Sequence, residues 1–435
     1  MRAYRSWGRY PRASHAGVLP VLWRTEPPPL DQVEHTVLPF ACGRSYGDSC
    51  LNDGGVLLDT AGLDRLIAFD KVAGVLRCEA GVTLADILAL IVPQGWFLPV
   101  VPGTRWVSVG GAIANDIHGK NHHRAGTFGA HVLLLELLRS SGDRLVCSPE
   151  EHPDLFRATV GGLGLTGLIL WAEIRLKQIP GTGIDLEQVR FGSLVEFFEL
   201  AESDQEYEYT VAWVDCLARG RRMGRGIYMR GDHTRWSGSA PSPLAGARLR
   251  IPCDAPAGLL NRATLGAFNE LYYRRQLRTR ARSVVPYTPF FFPLDAVDDW
   301  ARLYGPDGFL QYQCVVPLAG GRVIREIFER MTGSGEAASL AVLKRFGDVP
   351  SPGLLSFPRP GLTLAVDFAF RGGRTLALLE ELDQVVRDAG GAVYPAKDAR
   401  MSPESFRRFF PQWERFAIHI DPRFSSSFWR RVQAS

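Results

Sequence analysis

A chain of 435 residues with 46% hydrophobic content holds enough apolar material for two or three globular domains. Its 50 basic and 46 acidic residues leave a formal charge of only +4, and no interleaving of basic and aromatic residues argues for nucleic acid. The seven cysteines show neither CxxC pairs nor metal-like spacing, which speaks against a zinc site or a disulfide framework and fits a reducing compartment.

The basic N-terminal stretch MRAYRSWGRYPRASHAG lacks the apolar core of a signal peptide, and no apolar run of about 18 residues is present. The expectation is a cytoplasmic protein, at most peripheral at the inner membrane. After an apolar run at 37–40 comes a glycine-rich loop, residues 42–48 (CGRSYGD). Gly43 and Gly47 open torsions closed to other residues, and Arg44, Ser45 and Tyr46 add donors, so the loop is either an ordinary turn or a concave anion site for a pyrophosphate. Residues 56–59 and 75–80 are strand-like. Residues 83–91 read as a helix, with Thr83 as cap and Asp86 at its third position.

Residues 102–123 (PGTRWVSVGGAIANDIHGKNHH) follow neither the period of a strand nor that of a helix. They set glycine and alanine beside His118, Lys120, His122 and His123, the composition of a segment whose backbone contacts a cofactor. Further on, Gly162, Gly164 and Gly167 match GxGxxG, but a helical stretch (153–159) precedes them and a strand-like one (168–174) follows. That order is the reverse of the dinucleotide fingerprint and argues against NAD binding. A break falls at residues 179–183 (IPGTG), where aromatic and charged residues replace glycine-rich loops.

The second half interleaves strand-like segments at 209–214, 310–316 and 362–368 with helical ones at 259–278, 321–331 and 375–389, the pattern of antiparallel strands backed by helices. Residues 230–257, rich in Ser, Pro, Gly and Arg, read as a long mobile loop, either a plain insertion or a lid. The run 272–282 (YYRRQLRTRAR) suits a solvated helix face or an anionic partner, phosphate or membrane. Residues 287–292 (YTPFFF) suit core or an apolar wall.

Taken in order, GRSYGD, PGTRWVSVGGAIANDIHGKNHH, TVGGLGLTG, FLQYQ, VLKRFG and YPAKDAR give the chain a recognisable signature. Residues 37–177 resemble the FAD-binding domain of the vanillyl-alcohol oxidase/p-cresol methylhydroxylase superfamily. The six motifs together resemble the decaprenylphosphoryl-β-D-ribose oxidase family, the flavin subunit of a sugar 2′-epimerase. The resemblance implies an α+β flavoprotein of two domains: an FAD-binding domain over 1–180 and a substrate domain of antiparallel sheet and helices over 181–393. Residues 394–435 would then return to the FAD site.

It further implies non-covalent FAD, since relatives that attach FAD covalently often use a histidine where Tyr46 stands here. Gly43, Arg44, Ser45, Tyr46, Gly47, Gly103, Ser108, Gly110 and Gly111 would cradle the pyrophosphate. Asn115, His118, Ile169 and Tyr394 would lie near the flavin, with His118 either a catalytic neighbour, a linkage site or a structural histidine. Lys397 is the leading candidate beside the reacting hydroxyl, as a base when neutral or a charge stabiliser when protonated.

Gln311 and Gln313, two apart and so on one strand face, would bracket ribose hydroxyls, and Lys120 and Lys344 would neutralise a phosphodiester. Ala365 replaces a cysteine found in many members, so a thiol there is not required. The implied reaction is oxidation of the 2′-hydroxyl of a polyprenylphosphoryl ribose to the 2′-keto compound. An NAD(P)H-dependent short-chain reductase would finish the epimerisation to the arabinose donor of cell-wall arabinan. A soluble alditol or aldonolactone substrate, or a silent flavin-binding subunit, is the alternative. No metal and no nucleic acid are expected.

Overall fold

The computed structural model describes residues 3–203, 206–236, 238, 249–256, 258–336 and 338–434. The first strands, β1 (Gly17–Pro20), β2 (Val37–Phe40) and β3 (Val56–Asp59), form a parallel sheet with β3 in the middle. Buried Val37, Leu38, Val56, Leu57 and Leu58 explain the unbroken apolar runs, as parallel strands are covered on both faces. A second, antiparallel sheet orders β4 (Leu66–Asp70), β5 (Val75–Glu79), β6 (Val132–Leu138), β7 (Arg144–Cys147) and β8 (Leu168–Arg175) as β4-β5-β8-β6-β7.

Helices of this half include α1 (Leu84–Ile91), α2 (Val109–Ala114) and α3 (Pro153–Thr159), with a single turn at His122–Ala125 between the last two. α1 starts as its sequence says. The Thr83 hydroxyl accepts from the Asp86 amide and the Asp86 carboxylate accepts from the Thr83 amide, a reciprocal cap that contributes about 1 kcal/mol. The GxGxxG run connects α3 to β8, the order that rules out a nucleotide fingerprint, and Gly161, Gly164 and Gly167 all hold positive φ there.

The second half is built on one eight-stranded antiparallel sheet. Its strands are β9 (Gly183–Phe191), β10 (Tyr209–Val214), β11 (Gly226–Thr234), β12 (Arg280–Pro286), β13 (Phe309–Val316), β14 (Ala338–Phe346), β15 (Gly361–Ala369) and β16 (Ala392–Val393). They run in the order β12-β9-β11-β10-β14-β15-β13-β16. Helices α4 (Arg262–Arg274), α5 (Gly321–Ser334) and α6 (Gly373–Asp388) accompany it. Strand alternation sends Leu310, Tyr312 and Cys314 into the core that α5 and α6 cover, and turns Gln311 and Gln313 to the opposite face.

After β16 the chain crosses back to the first half. Val37 bridges Phe424, and α8 (Ser427–Gln433) packs against the turn at Asp48–Cys50, with Arg431 of α8 paired to Asp48 and Asp398, while α7 (Pro403–Phe409) joins α8 to α6 and β16. No helix among the described residues is long and apolar enough to cross a membrane.

The reading of 230–257 as one loop needs correction. Arg230 to Thr234 complete β11, where Arg230 is paired with Glu187 on β9; that charged partner across the ladder makes a strand of residues whose composition resembles a loop. Leu249–Arg250 pair in parallel with Val297–Asp298, while 237, 239–248 and 257 lie outside the described residues. The 259–278 helix is shorter than expected, because Asn261 caps it and it ends at Arg274. The basic run 272–282 is therefore divided between α4 and β12, where Arg282 pairs with Asp185 across the ladder and Arg280 with Glu187.

Candidate active site

Between the polar face of the large sheet and the two glycine-rich loops lies a cavity of about 910 Å³. This is toward the upper end of small-molecule sites, which run from about 300 to 1,000 Å³. One wall is loop 42–46 and the segment 101–120; the other is sheet, with Gln311, Gln313, Lys344, Thr363, Ala365 and Asp367 at one end. At the other end of the same sheet face stand Leu186, Val211, Trp213, Met229 and Val285, so the floor changes from polar to apolar along the strand order.

The glycine loops are locked together. Arg44 donates from Nε to the Trp106 carbonyl at 3.2 Å and stacks its guanidinium 4.1 Å over Trp7. Gly43 sits at φ +60° and a Cβ there would lie 2.8 Å from the Arg5 carbonyl and the Phe40 ring, so the turn admits no side chain. Gly103, in contrast, has open space around its missing Cβ. Ser108 caps α2 by accepting from the Gly111 amide, which leaves Gly110 and Gly111 on the cavity wall.

Asn115 donates to Gly111 and accepts, through its carbonyl, the Tyr394 hydroxyl at 2.7 Å; Tyr394 stacks on Phe357. Ile169 lines the same wall.

His118 lies between the two halves of the polar end. Its Nε2 is 2.8 Å from the Gln313 side-chain amide, and its Nδ1 is 3.2 Å from Lys344 Nζ, which also donates to the Gly119 carbonyl at 3.0 Å. Burial, reinforced by the Lys344 charge, holds the imidazole well below its ordinary pKa, so it is neutral. A neutral ring that accepts at Nδ1 carries its proton on Nε2, and the Gln313 atom facing it then acts as the amide oxygen.

Three lysines converge on this end. Burial brings Lys397 and Lys344 down to about 7, with the charges of Lys120 and Lys397 adding to the effect at Lys344, and brings Lys120 down to about 8. Lys397 Nζ lies 3.7 Å from the centre of the Tyr46 ring; Lys120 donates to the Phe291 carbonyl at 3.2 Å.

Two expectations from sequence do not reach the cavity. Gly47 is a packing glycine: a Cβ there would sit 1.7 Å from the Asp398 carbonyl oxygen, against the backbone that follows Lys397. Gly47→Ala must push that segment aside, and is expected to cost about 2 kcal/mol or more of stability, read as a lower midpoint in urea unfolding of the FAD-loaded protein. An unchanged midpoint would dispose of this packing account.

His122 and His123 also lie off the wall. His122 packs 4.4 Å from Phe346 and His123 Nε2 meets the Tyr207 carbonyl. Of the YTPFFF cluster, Phe290 and Pro289 line the cavity while Tyr287, Phe291 and Phe292 are core.

Sequence reading passed over Asp367. It accepts from Gln311 Nε2 at 2.6 Å and from the Tyr304 hydroxyl at 3.1 Å, and burial raises its carboxyl to about 7. The signal was available: it lies two residues beyond Ala365 and so on the same strand face. Thr363, two residues before Ala365, shared that signal; Tyr304 had none.

The family with the description FAD binding domain matches residues 31–148. Over 413 residues the chain is 38% identical to decaprenylphosphoryl-beta-D-ribose oxidase of Mycolicibacterium smegmatis, covering 91% of this chain and 89% of that one. The chain belongs to the decaprenylphosphoryl-β-D-ribose oxidase family. It is also 36% identical over 371 residues to an uncharacterized protein of Streptomyces coelicolor, covering 81% of this chain and 100% of that one. A delta(24)-sterol reductase of Homo sapiens is 32% identical over 111 residues, only 26% of this chain and 22% of its own.

FAD is the cofactor of this chain, and the α+β architecture with two distinct sheet systems is that of a flavoprotein of this superfamily. The walls suit it. Small residues and backbone at 43–46 and 103–111 leave room for a pyrophosphate, and apolar Val101, Ile117 and Ile169 offer a surface for rings.

Proposed function

We propose that the protein oxidises the 2′-hydroxyl of decaprenylphosphoryl-β-D-ribose, or a similar polyprenylphosphoryl ribose, to the 2′-keto compound. The observation that carries this reading is the meeting, in one cavity with the glycine loops, of Lys397, the two glutamines and two further half-buried lysines. Gly43, Arg44, Ser45, Tyr46, Gly103, Ser108, Gly110 and Gly111 hold the cofactor's phosphates without a covalent link; Asn115, His118, Ile169 and Tyr394 contact its ring system. Bound FAD supplies the acceptor for the hydride removed from the carbinol carbon.

The chain's own work is positioning and proton handling. Lys397, poised near neutrality by burial, takes the hydroxyl proton. Gln311 and Gln313 hold the ribose hydroxyls, with Gln311 itself fixed by Asp367 and Gln313 by neutral His118. Lys344 and Lys120 offset the phosphodiester charge, and the apolar end of the sheet floor receives the first prenyl units. The keto product requires a reductant to become the arabinose epimer, which an NAD(P)H-dependent reductase supplies. Protein and lipid substrate meet at a membrane surface.

The visible spectrum of the purified protein, before and after anaerobic addition of a polyprenylphosphoryl ribose, tests this directly. Bleaching of the flavin bands, with flavin released into the supernatant on acid precipitation, is the expected result. Flavin that stays oxidised would move the substrate to a soluble sugar or the chain to a silent subunit; flavin left in the precipitate would overturn the non-covalent assignment.

A further inference from the structure

We propose that the C-terminal half of α4, with Leu277 just beyond it and Leu249 paired to the cavity-lining Val297, is the face on which the protein lies against an anionic lipid bilayer, and that the apolar end of the cavity opens there. The proposal rests on the reading of the substrate as a lipid phosphate and adds the surface from which the lipid enters.

The helix is oddly clothed. Of the thirteen residues of α4, only Leu265 and Asn269 are buried. Phe268, Leu271, Tyr272 and Arg275 recur at intervals of three and four, so they form one stripe. Phe268, Tyr272 and Arg275 belong to the cavity lining, and Tyr272 packs on Trp213 of the apolar floor with ring centres 4.6 Å apart. The same stripe leaves Phe268 51% and Leu271 73% exposed, and Leu277 just beyond it is 85% exposed.

Leu249, 66% exposed, pairs with Val297, another lining residue. Among the described residues, six of the thirteen large hydrophobic side chains left in solvent fall between 249 and 284. A stripe this apolar at the mouth of a cavity calls for a cover.

Charge says what kind. Residues 249–286 hold seven arginines and two acidic residues, in a chain whose whole formal charge is +4. Arg280 and Arg282 are paired with Glu187 and Asp185, Arg250 with Asp299, and Arg274 with Glu270. Arg275 and Arg278 have no acidic partner among the described residues, and they flank the exposed Leu271 and Leu277. Leucines that can sink among acyl chains, interleaved with uncompensated arginines that can reach lipid phosphates, match an anionic leaflet on both counts.

The geometry also answers how a polyprenyl chain enters. A lipid leaving the bilayer at Phe268 and Tyr272 passes onto Trp213, Val211 and Met229 without crossing water, while its head travels toward the lysines.

Sedimentation of the full-length, FAD-loaded protein with vesicles, in the absence of substrate, tests the surface. Binding to phosphatidylglycerol/phosphatidylcholine vesicles, little binding to phosphatidylcholine alone, and release by raised salt are expected. The pair Leu271→Glu with Leu277→Glu should lower the partition coefficient by about tenfold or more, and Arg278→Ala, which removes an arginine with no acidic partner among the described residues, by about fivefold. Both should keep their flavin and its reduction by ribose lipid presented in detergent micelles. Absence of binding to anionic vesicles, or variants that bind as the parent does, overturns the proposal. So does a dimer that these variants dissociate without change in vesicle binding, since a second copy then covers the face. Vesicle binding with no bleaching by micellar ribose lipid would leave the surface standing and overturn the substrate instead.

Discussion

Lys397→Ala is expected to slow reduction of the bound flavin by the ribose lipid about 10³-fold, within the 10²–10⁴-fold range of a positioned proton acceptor. The protein should still hold FAD, because Lys397 meets the glycine loops only at the Tyr46 ring, while Gly43 and Arg44 are fixed by Arg5, Phe40 and Trp106, and Tyr394 by the Asn115 carbonyl. Burial brings the Lys397 ammonium down to about 7, and the Asp367 carboxyl, raised by its own burial to about 7, works in the opposite direction on it. A base must be neutral to act. The limiting reduction rate should therefore rise with pH through about 7 to a plateau, and this limb should be missing in Lys397→Ala. Rapid-mixing measurements under nitrogen read both. A variant within about tenfold of the parent rate would remove Lys397 from proton transfer; a rate falling with pH across the same range would make it a charge stabiliser.

Much of this site was legible because its residues sit in motifs whose backbone demands are local. The left-handed Gly43, the Ser108 cap and the reciprocal Thr83–Asp86 cap each involve residues no more than a few positions apart, and each is written in the chain there. The period of two put Gln311 and Gln313 together without any tertiary knowledge, and the sheet then set them opposite Asp367 and Ala365. What escaped is long-range. Tyr304 meets Asp367 across 63 positions, and Asp398 meets Arg431 across 33, contacts that no local spacing announces.

Gly47 was assigned to the cofactor because it shares a motif with Gly43, whereas its constraint comes from Asp398, brought in by the returning C-terminal segment. Arg230 misled in the same way: composition resembling a loop became strand once Glu187 supplied its partner.

That returning segment also explains why a lysine so far along the chain can serve loops near its start. Asp398, next to Lys397, accepts from the Arg400 and Met401 amides and from Arg431, and Arg431 is tied to Asp48 beside the first glycine loop. The carboxylates are buried, so removing the arginine would leave them uncompensated, a larger penalty than the pair itself is worth. Lys397 is thereby referenced to the cofactor loop and not only to its own strand.

Affinity for the phosphodiester is expected to be highest below pH 7 and to weaken as pH rises. In the free protein burial holds Lys344 near 7 and Lys120 near 8; an anion placed between them favours their charged forms and raises both values in the complex. Binding therefore takes up protons in the window above each free value. Each lysine then costs up to about tenfold in affinity per pH unit until its pKa in the complex is passed.

Titrating the flavin spectrum with substrate, or with the keto product, from pH 6 to pH 9 should show the dissociation constant growing at least about tenfold. Lys344 also touches neutral His118 and the Gly119 carbonyl, neither of which gains a charge in this window, while Asp367 acts on Lys397 and remains present in either variant. Lys344→Gln should accordingly weaken binding at pH 6 by about 10²-fold and flatten the slope between 7 and 8, leaving the Lys120 limb above 8. A dissociation constant indifferent to pH, or a Lys344→Gln variant with the parent's slope, would show that these lysines do not face the phosphate.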